Sequence, residues 1–493
     1  MTVASGLLGA GSSGSGASPR RPLGPGVSGR WGSKGLSRLR AVGAPSEGRA
    51  ERRALGRAAR GVVPRKRLGG WEQASRGHDA LETILEQNTT RVRDLVPIRM
   101  WRMAASPWTY YRGAAAVMAA DLASTPNTGI DVQLCGDAHV LNFGLWATPE
   151  RQLSFDLRDF DETVRGPFEW DVKRYLASLV VLARDNGLPA KVARAAVSAA
   201  MTAYAEQIAR YASAGELAIW YDVITSEELL ELFAPEHREK AARRLTKQAN
   251  RRTSAGAARK LVHQVEGHLQ IVEDPPIRIR LANLRPEMDV SVSVLTVLQQ
   301  YHDSLPYERR YLLDRFSFVD AARQVVGVGS VGMQVYLALF EGRNGTDPLF
   351  LQVKQAGPSV YEKFLGDSPY ATHGERVISG KRLIQAASDI FLGWTSYQGA
   401  DFYVRQFRDM KVIPDSRAVA PYLVPFARQC GRVLARAHAR TGDALTIASY
   451  LGTGTAFAET MTAFAFAYAD QTEHDHGQLA GAISAGRVPV EQG

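Results

Sequence analysis

Cysteine is nearly absent from this chain. Only Cys135 and Cys430 occur among 493 residues, and neither lies in a Cys-x-x-Cys pattern. That excludes a disulfide framework and a paired-cysteine zinc cassette, and it points to a reducing, cytoplasmic compartment. No run of 18 apolar residues is present, so no membrane span is expected. Internal repeats are missing as well. Acidic residues are scarce at the N-terminus, where the first 70 residues hold 14 Lys and Arg against 2 Glu. The whole chain has a formal charge of +10, so the body is close to neutral and the basic balance comes from the start of the chain. Such a body lacks the broad positive field of a nucleic-acid-binding domain. Residues 1–67 have few bulky apolar side chains and are expected to form a disordered basic tail. A nucleic-acid contact by that tail is the minor alternative. Arg20-Arg21 is not followed by the apolar segment of an export signal.

What remains is ordinary for a folded protein, with 45% apolar and 22% charged residues. The pattern divides an α+β chain into parts. Residues 68–310 read as a mainly helical lobe. Residues 311–413 read as a β-rich lobe, and 414–493 as helices that complete the first lobe. Within the first part, "DVQLCGDAH" is a short strand running into a loop. "RQLSFDLRDFDET" is a second strand and loop, in which Leu153, Phe155 and Leu157 alternate with polar residues. The run from His237 to Lys260 is strongly basic and is expected to be a solvated helix face.

Three stretches carry chemistry. In "GVGSVG", Gly327, Gly329, Ser330 and Gly332 precede an alternating run, so the pattern predicts a hairpin with a glycine turn, not the helix of a dinucleotide fold. A glycine turn lets backbone amides approach a phosphate closely. Lys354 ends the apolar strand "LFLQVK", 22 residues beyond Gly332, and suits a phosphate contact. Glu375, 21 residues further on in a helical stretch, is the expected partner of Lys354. In "CGDAHVLNFG", Asp137 and Asn142 have the five-residue spacing of a phosphotransfer loop. There an Asp orients or deprotonates the acceptor hydroxyl and an Asn oxygen ligates Mg²⁺. Asp156, Asp159 and Asp161 follow. Asp159 is the preferred metal ligand and Asp156 a weaker one. A two-metal phosphoesterase reading of Asp137-Ala-His139 lacks the further histidine blocks it needs. His139 is expected to pack the loop and His438 to be structural. Arg112 is a candidate phosphate or acceptor contact or, equally, a helix-surface or core-capping arginine.

The set "GVGSVG", "LQVK", "GER", "GDAHVLN" and "RDFDE" resembles the protein-kinase-like superfamily, nearest to its aminoglycoside- and choline-kinase branch. "WDVKRYLASL" fits that branch. The resemblance implies that Asp171, 12 residues after Asp159, buttresses the catalytic loop. Over residues 68 to 480 the chain also resembles a bacterial family of unknown function numbered 2252. The kinase-like resemblance implies a bilobal fold, ATP and Mg²⁺ as cofactors, and an acceptor it does not specify. The motif order is unusual, because the catalytic and metal loops precede the glycine loop. That order reads as a circular permutation. Cys135 stands where that branch has His, and Gln352 where a small residue is usual. Both departures keep a nucleotide-binding pseudokinase, or a nucleotidyl-transferring relative, as alternatives.

Overall fold

The computed structural model describes residues 48–231, 235–284, 294–343, 347–408 and 410–492, without the side chains of residues 75 and 237. The first 47 residues of the expected tail lie outside the described residues. From residue 49 the expectation of disorder is corrected. Helix α1 spans Arg49–Val62, followed by a short turn of helix at Arg65–Gly69. Arg and Ala are good helix formers. The helix docks through charge rather than through an apolar stripe, because Arg52 makes two bonds to Asp443. That is why hydrophobic periodicity missed it.

Four helices follow: α2 (Ala80–Asn88), α3 (Val96–Ala104), α4 (Pro107–Gly113) and α5 (Ala115–Ala123). Strand β1 (Asp131–Leu134) pairs antiparallel with β4 (Val164–Pro167), and β2 (Phe143–Ala147) with β3 (Leu153–Leu157). Two long helices come next, α6 (Phe168–Asp185) and α7 (Ala190–Tyr211). α6 is buried on nearly every side, as befits a helix surrounded by others. The basic run forms α8 (Pro235–Arg251) and α9 (Ser254–Leu261). Strands β5 (Val262–Val265) and β6 (His268–Ile271) form a small hairpin after them.

The main sheet has six strands in the order β11-β12-β10-β9-β8-β7, each neighbouring pair antiparallel. They are β7 (Arg278–Arg280), β8 (Phe316–Gln324), β9 (Val335–Gly342), β10 (Pro348–Ala356), β11 (Gly393–Tyr397) and β12 (Ala400–Gln406). β10 alternates cleanly. Leu349, Leu351 and Val353 pack on Val297 and Tyr301 of helix α10 (Val294–Ser304), while Phe350 packs with Ala257 and Leu261 of α9. Sheet-linked structure therefore begins well before residue 311, with β7 and α10 on the expected helical side of that boundary. Neither carries a period long enough to signal its partner.

After β10 come α11 (His373–Ile384) and the β11–β12 pair, then α12 (Leu423–Thr441), α13 (Ala444–Leu451) and α14 (Thr455–Ser484). α12 packs against α7, β1, β3 and α6. The end of the chain thus rests on the segment that carries the first loop. No helix among the described residues is long and apolar enough to cross a membrane.

Candidate functional site

The loop after β1 is held from below by α6. Asp171, in the first turn of that helix, accepts the amide of Cys135 at 2.6 Å and that of Gly136 at 3.0 Å. Gly136 has φ +84°, and a Cβ there would lie 2.1 Å from the carbonyl oxygen of Glu162. Only glycine fits that turn. One helical turn further along, Arg174 donates from Nε at 2.9 Å and Nη2 at 2.8 Å to Oδ1 of Asp137. Burial raises the Asp137 carboxyl above its ordinary range, and Arg174 opposes that shift. Arg174 also donates to the carbonyl of Tyr111 at 2.8 Å, and Tyr111 Oη donates back to the Arg174 carbonyl. Helix α4 is thereby locked onto the Asp137 support.

His139 packs edge-on against Trp108 at 5.7 Å, with Nε2 3.7 Å from Asp137. Burial and the neighbouring Arg112, Arg174 and Arg158 push it well below the usual histidine range, so it is neutral at pH 7. His438 lies behind Asp171, Nε2 to Oδ2 3.5 Å, and is bridged to Tyr204 at 2.7 Å.

Asn142 is fully buried. Its Nδ2 donates to the carbonyls of Asp137 at 2.9 Å and Asp159 at 3.0 Å, and its Oδ1 accepts the Asp159 amide at 2.9 Å. Cys135 Sγ donates to the same Asp159 carbonyl at 3.2 Å. Asn142 and Cys135 thus staple the two loops together. Asn142 keeps at most one lone pair for a metal.

The three acids of the second loop have separate fates. Asp156 is a buried ion pair with Arg436 of α12 and also accepts the amides of Leu157 and Ala386, both at 2.9 Å. Both of its oxygens already have partners, so Asp156 is less free for a metal than Asp159. Asp159 differs, because its Oδ1 is buried and has no hydrogen-bond partner. Burial alone would raise its pKa, but the charges of Lys354, Arg405 and Arg158 hold it well below the carboxylate range. Asp161 receives Lys354, together with Tyr403 Oη at 2.7 Å.

Lys354 was expected to pair with Glu375. It pairs instead with Asp161, and Nζ also donates to Ser330 Oγ in the glycine loop at 2.7 Å. It is 1% exposed. Burial would lower its pKa, but Asp161 and Asp159 keep it charged. Glu375 sits in the first turn of α11, where its Oε2 accepts the amide of Ala371 at 3.2 Å. The reason lies in helix phase. The next residue, Arg376, is the buried one, and it donates to the carbonyls of Asp161, Thr163 and Gly357 at 2.8, 2.6 and 2.7 Å.

The glycine loop connects β8 to β9. Its outer side is fixed by the first helices of the chain. Arg102 donates to the Gly327 carbonyl at 3.0 Å, Arg91 to that of Val331 at 2.5 Å, and the Val92 amide to that of Gly332 at 2.7 Å. The amides of Gly327, Val328, Gly329 and Ser330 have no hydrogen-bond acceptor among the described residues. Sequence reading passed over Arg158, Arg174, Arg376 and Arg405. Arg174 was within reach, since it lies three residues after Asp171 and shares its helix face.

A cavity of about 1570 Å³ adjoins this centre through Asp161, Glu162 and Met333. Asp137 and Asp159 do not line it. Among the described residues no three His, Cys, Asp or Glu side chains are grouped to hold an ion. The described residues therefore offer no cage of their own. One carboxylate, Asp159, is open to a cation that brings its remaining oxygens with it. That fits Mg²⁺, which keeps waters and phosphate oxygens in its shell.

The family model described as "Uncharacterized protein conserved in bacteria (DUF2252)" matches residues 91–482. The chain belongs to this family. No curated protein and no solved structure matches it. The matched span takes in every residue described above from Arg91 to His438, so the DUF2252 region contains the whole centre.

Proposed function

We propose that this DUF2252 protein is a Mg²⁺-ATP-dependent phosphotransferase with a circularly permuted kinase-like fold, acting on a small-molecule or protein acceptor. One observation carries the reading. Lys354 joins the Ser330 hydroxyl of a glycine loop to Asp161, two residues from an acid whose oxygen is buried and unpartnered. A lysine, free glycine-loop amides and an open carboxylate are the parts phosphoryl transfer uses for positioning and charge. The connectivity favours permutation. α12 precedes the first loop in space though it follows it in sequence, and Arg436 and His438 of α12 approach Asp156 and Asp171.

In this reading the amides at 327–330 and Lys354 bind the phosphates, and Asp159 holds Mg²⁺. Asp137, fixed by Arg174, orients the acceptor hydroxyl. Bound Mg²⁺ supplies charge neutralisation between phosphates. A specific observation favours a second reading, nucleotide binding without turnover. Asp137 is tied to Arg174 and Asn142 is consumed by the two loops, which suits holding more than proton transfer.

The test is Mg²⁺-dependent ATP binding and ATP consumption by the wild type, Asp137→Ala and Lys354→Ala. The phosphotransferase reading expects binding by the wild type and Asp137→Ala, turnover reduced about 100-fold or more in Asp137→Ala, and weakened binding in Lys354→Ala. If the wild type binds no ATP, both readings fail. Equal binding by the wild type and Asp137→Ala, without turnover in either, selects the second.

A further inference from the structure

Arg112 is a cation at this centre that the reading above leaves unused. It closes the short helix α4, which is locked in place on both sides of it. Tyr111 is bonded to Arg174, and the Gly113 carbonyl accepts Arg99 at 3.0 Å. The backbone of Arg112 abuts the glycine loop, its carbonyl oxygen lying 3.4 Å from where a Cβ on Gly329 would sit. Its Nε is buried without a hydrogen-bond partner, and among the described residues no ion pair engages its guanidinium. The charges that act on it are Asp137 and Asp159, while burial opposes its ionisation. Four other cations nearby have hydrogen-bond acceptors. Arg174 is spent on Asp137, Lys354 on Asp161, Arg405 on Gln352, and Arg158 donates to the Leu141 carbonyl.

Its Nε is a buried donor without an acceptor among the described residues, a cost that an anion would relieve. The carboxylates of Asp137 and Asp159 act on its charge, and its backbone adjoins the Gly329 turn. In the phosphotransferase reading, a transferred phosphoryl group would pass between those groups.

We propose that Arg112 is a catalytic arginine, supplied from outside the two nucleotide-binding loops, whose guanidinium contacts the oxygens of the phosphoryl group in transit. This rests on the phosphotransferase reading. In the step, the acceptor oxygen forms a bond to the γ-phosphorus as the bond from that phosphorus to the β–γ bridging oxygen breaks. The electron pair of the broken bond stays on the ADP oxygen, and the acceptor proton leaves towards Asp137 or solvent. Arg112 is chemically unchanged. Its two parallel N–H groups match two equatorial phosphoryl oxygens, a geometry an ammonium cannot reproduce.

The experiment uses the full chain, with Mg²⁺-ATP binding and ATP consumption measured for the wild type, Arg112→Ala and Arg112→Lys, each with and without millimolar guanidinium chloride. Thermal unfolding checks that the variants are folded. The expected result is ATP affinity within about twofold of the wild type and turnover down by about 100-fold or more in Arg112→Ala. Added guanidinium should restore Arg112→Ala by about tenfold or more while leaving the wild type unchanged. Arg112→Lys should remain folded and slow, and it decides the matter if the alanine variant does not fold. Unchanged turnover in either variant overturns the proposal, as does a loss of ATP affinity that accounts for the lost rate. Lost turnover in Arg112→Ala without guanidinium rescue overturns it too. A wild type that binds or consumes no ATP overturns the phosphotransferase reading itself, a failure distinct from that of Arg112.

Discussion

Two loops of this centre are built on opposite principles. The loop at 135–142 is densely bonded. Asp171 takes two of its amides, Ser178 takes the Val140 amide at 2.8 Å, Arg174 takes the Asp137 carboxylate, and Asn142 closes it onto Asp159. The backbone of the loop at 327–332 is gripped by its carbonyls, from the outside, and four of its amides face no acceptor among the described residues. Buried backbone donors are normally paired. The dense bonding fixes the Asp137 side chain in place. The other loop leaves donors in a row, with Gly327 and Gly329 exposed, so that water or an anion can take them.

This contrast can be broken most severely at its anchored side. Asp171→Ala removes an acceptor of two amides and strips His438 of its buried partner. Denaturant unfolding should show a loss of about 3–5 kcal/mol, the cost of breaking a buried charge-assisted network. A loss under about 1 kcal/mol would mean that the loop is held elsewhere. The glycine loop should be more forgiving, and unevenly so. Gly332 has φ +88°, and a Cβ there would meet Arg91 Cβ at 2.8 Å. Gly332→Ala should therefore cost about 1–3 kcal/mol and loosen the grip of the first helices. Gly327 has φ +62° with open space around it, so Gly327→Ala should cost only about 1 kcal/mol. Equal costs at the two positions would erase the distinction between gripped and free sides.

The smallest effect concerns pH. Burial raises Glu162, beside Asp161, to about 7 despite the Val360 amide. Its folded-state pKa lies above the unfolded value near 4.5, so the folded protein binds the extra proton. Its contribution to stability is present below about pH 4.5 and is lost as pH rises through 7. Unfolding measured between pH 5 and 8 should show that decline, and Glu162→Gln should flatten it. An unchanged pH profile in the variant would assign the decline to another group.

Much of this was legible from residues alone. The alternation in "PLFLQVKQA" gave β10 and its two faces, and the glycines of "GVGSVG" marked the β8–β9 turn. The spacing of Asp171 from Asp159, read through a family resemblance, placed a carboxylate under the first loop. The parts that were not legible share a cause. Asp156 and Asp159 lie three residues apart in one acidic run, yet one is consumed by Arg436 from the far end of the chain and the other is left open. Glu375 and Arg376 are adjacent, and the phase of α11 sends the arginine inward.

The sequence by itself determined the strands, the turns and the set of groups available for chemistry, because alternation, glycine and charge are local properties. Only the tertiary structure decided which of those groups pair. A buried charge takes whichever opposite charge the packing brings within bonding distance. Here that choice joins Lys354 to Asp161 across nearly two hundred residues, and it leaves the Oδ1 of Asp159 and the Nε of Arg112 buried without hydrogen-bond partners.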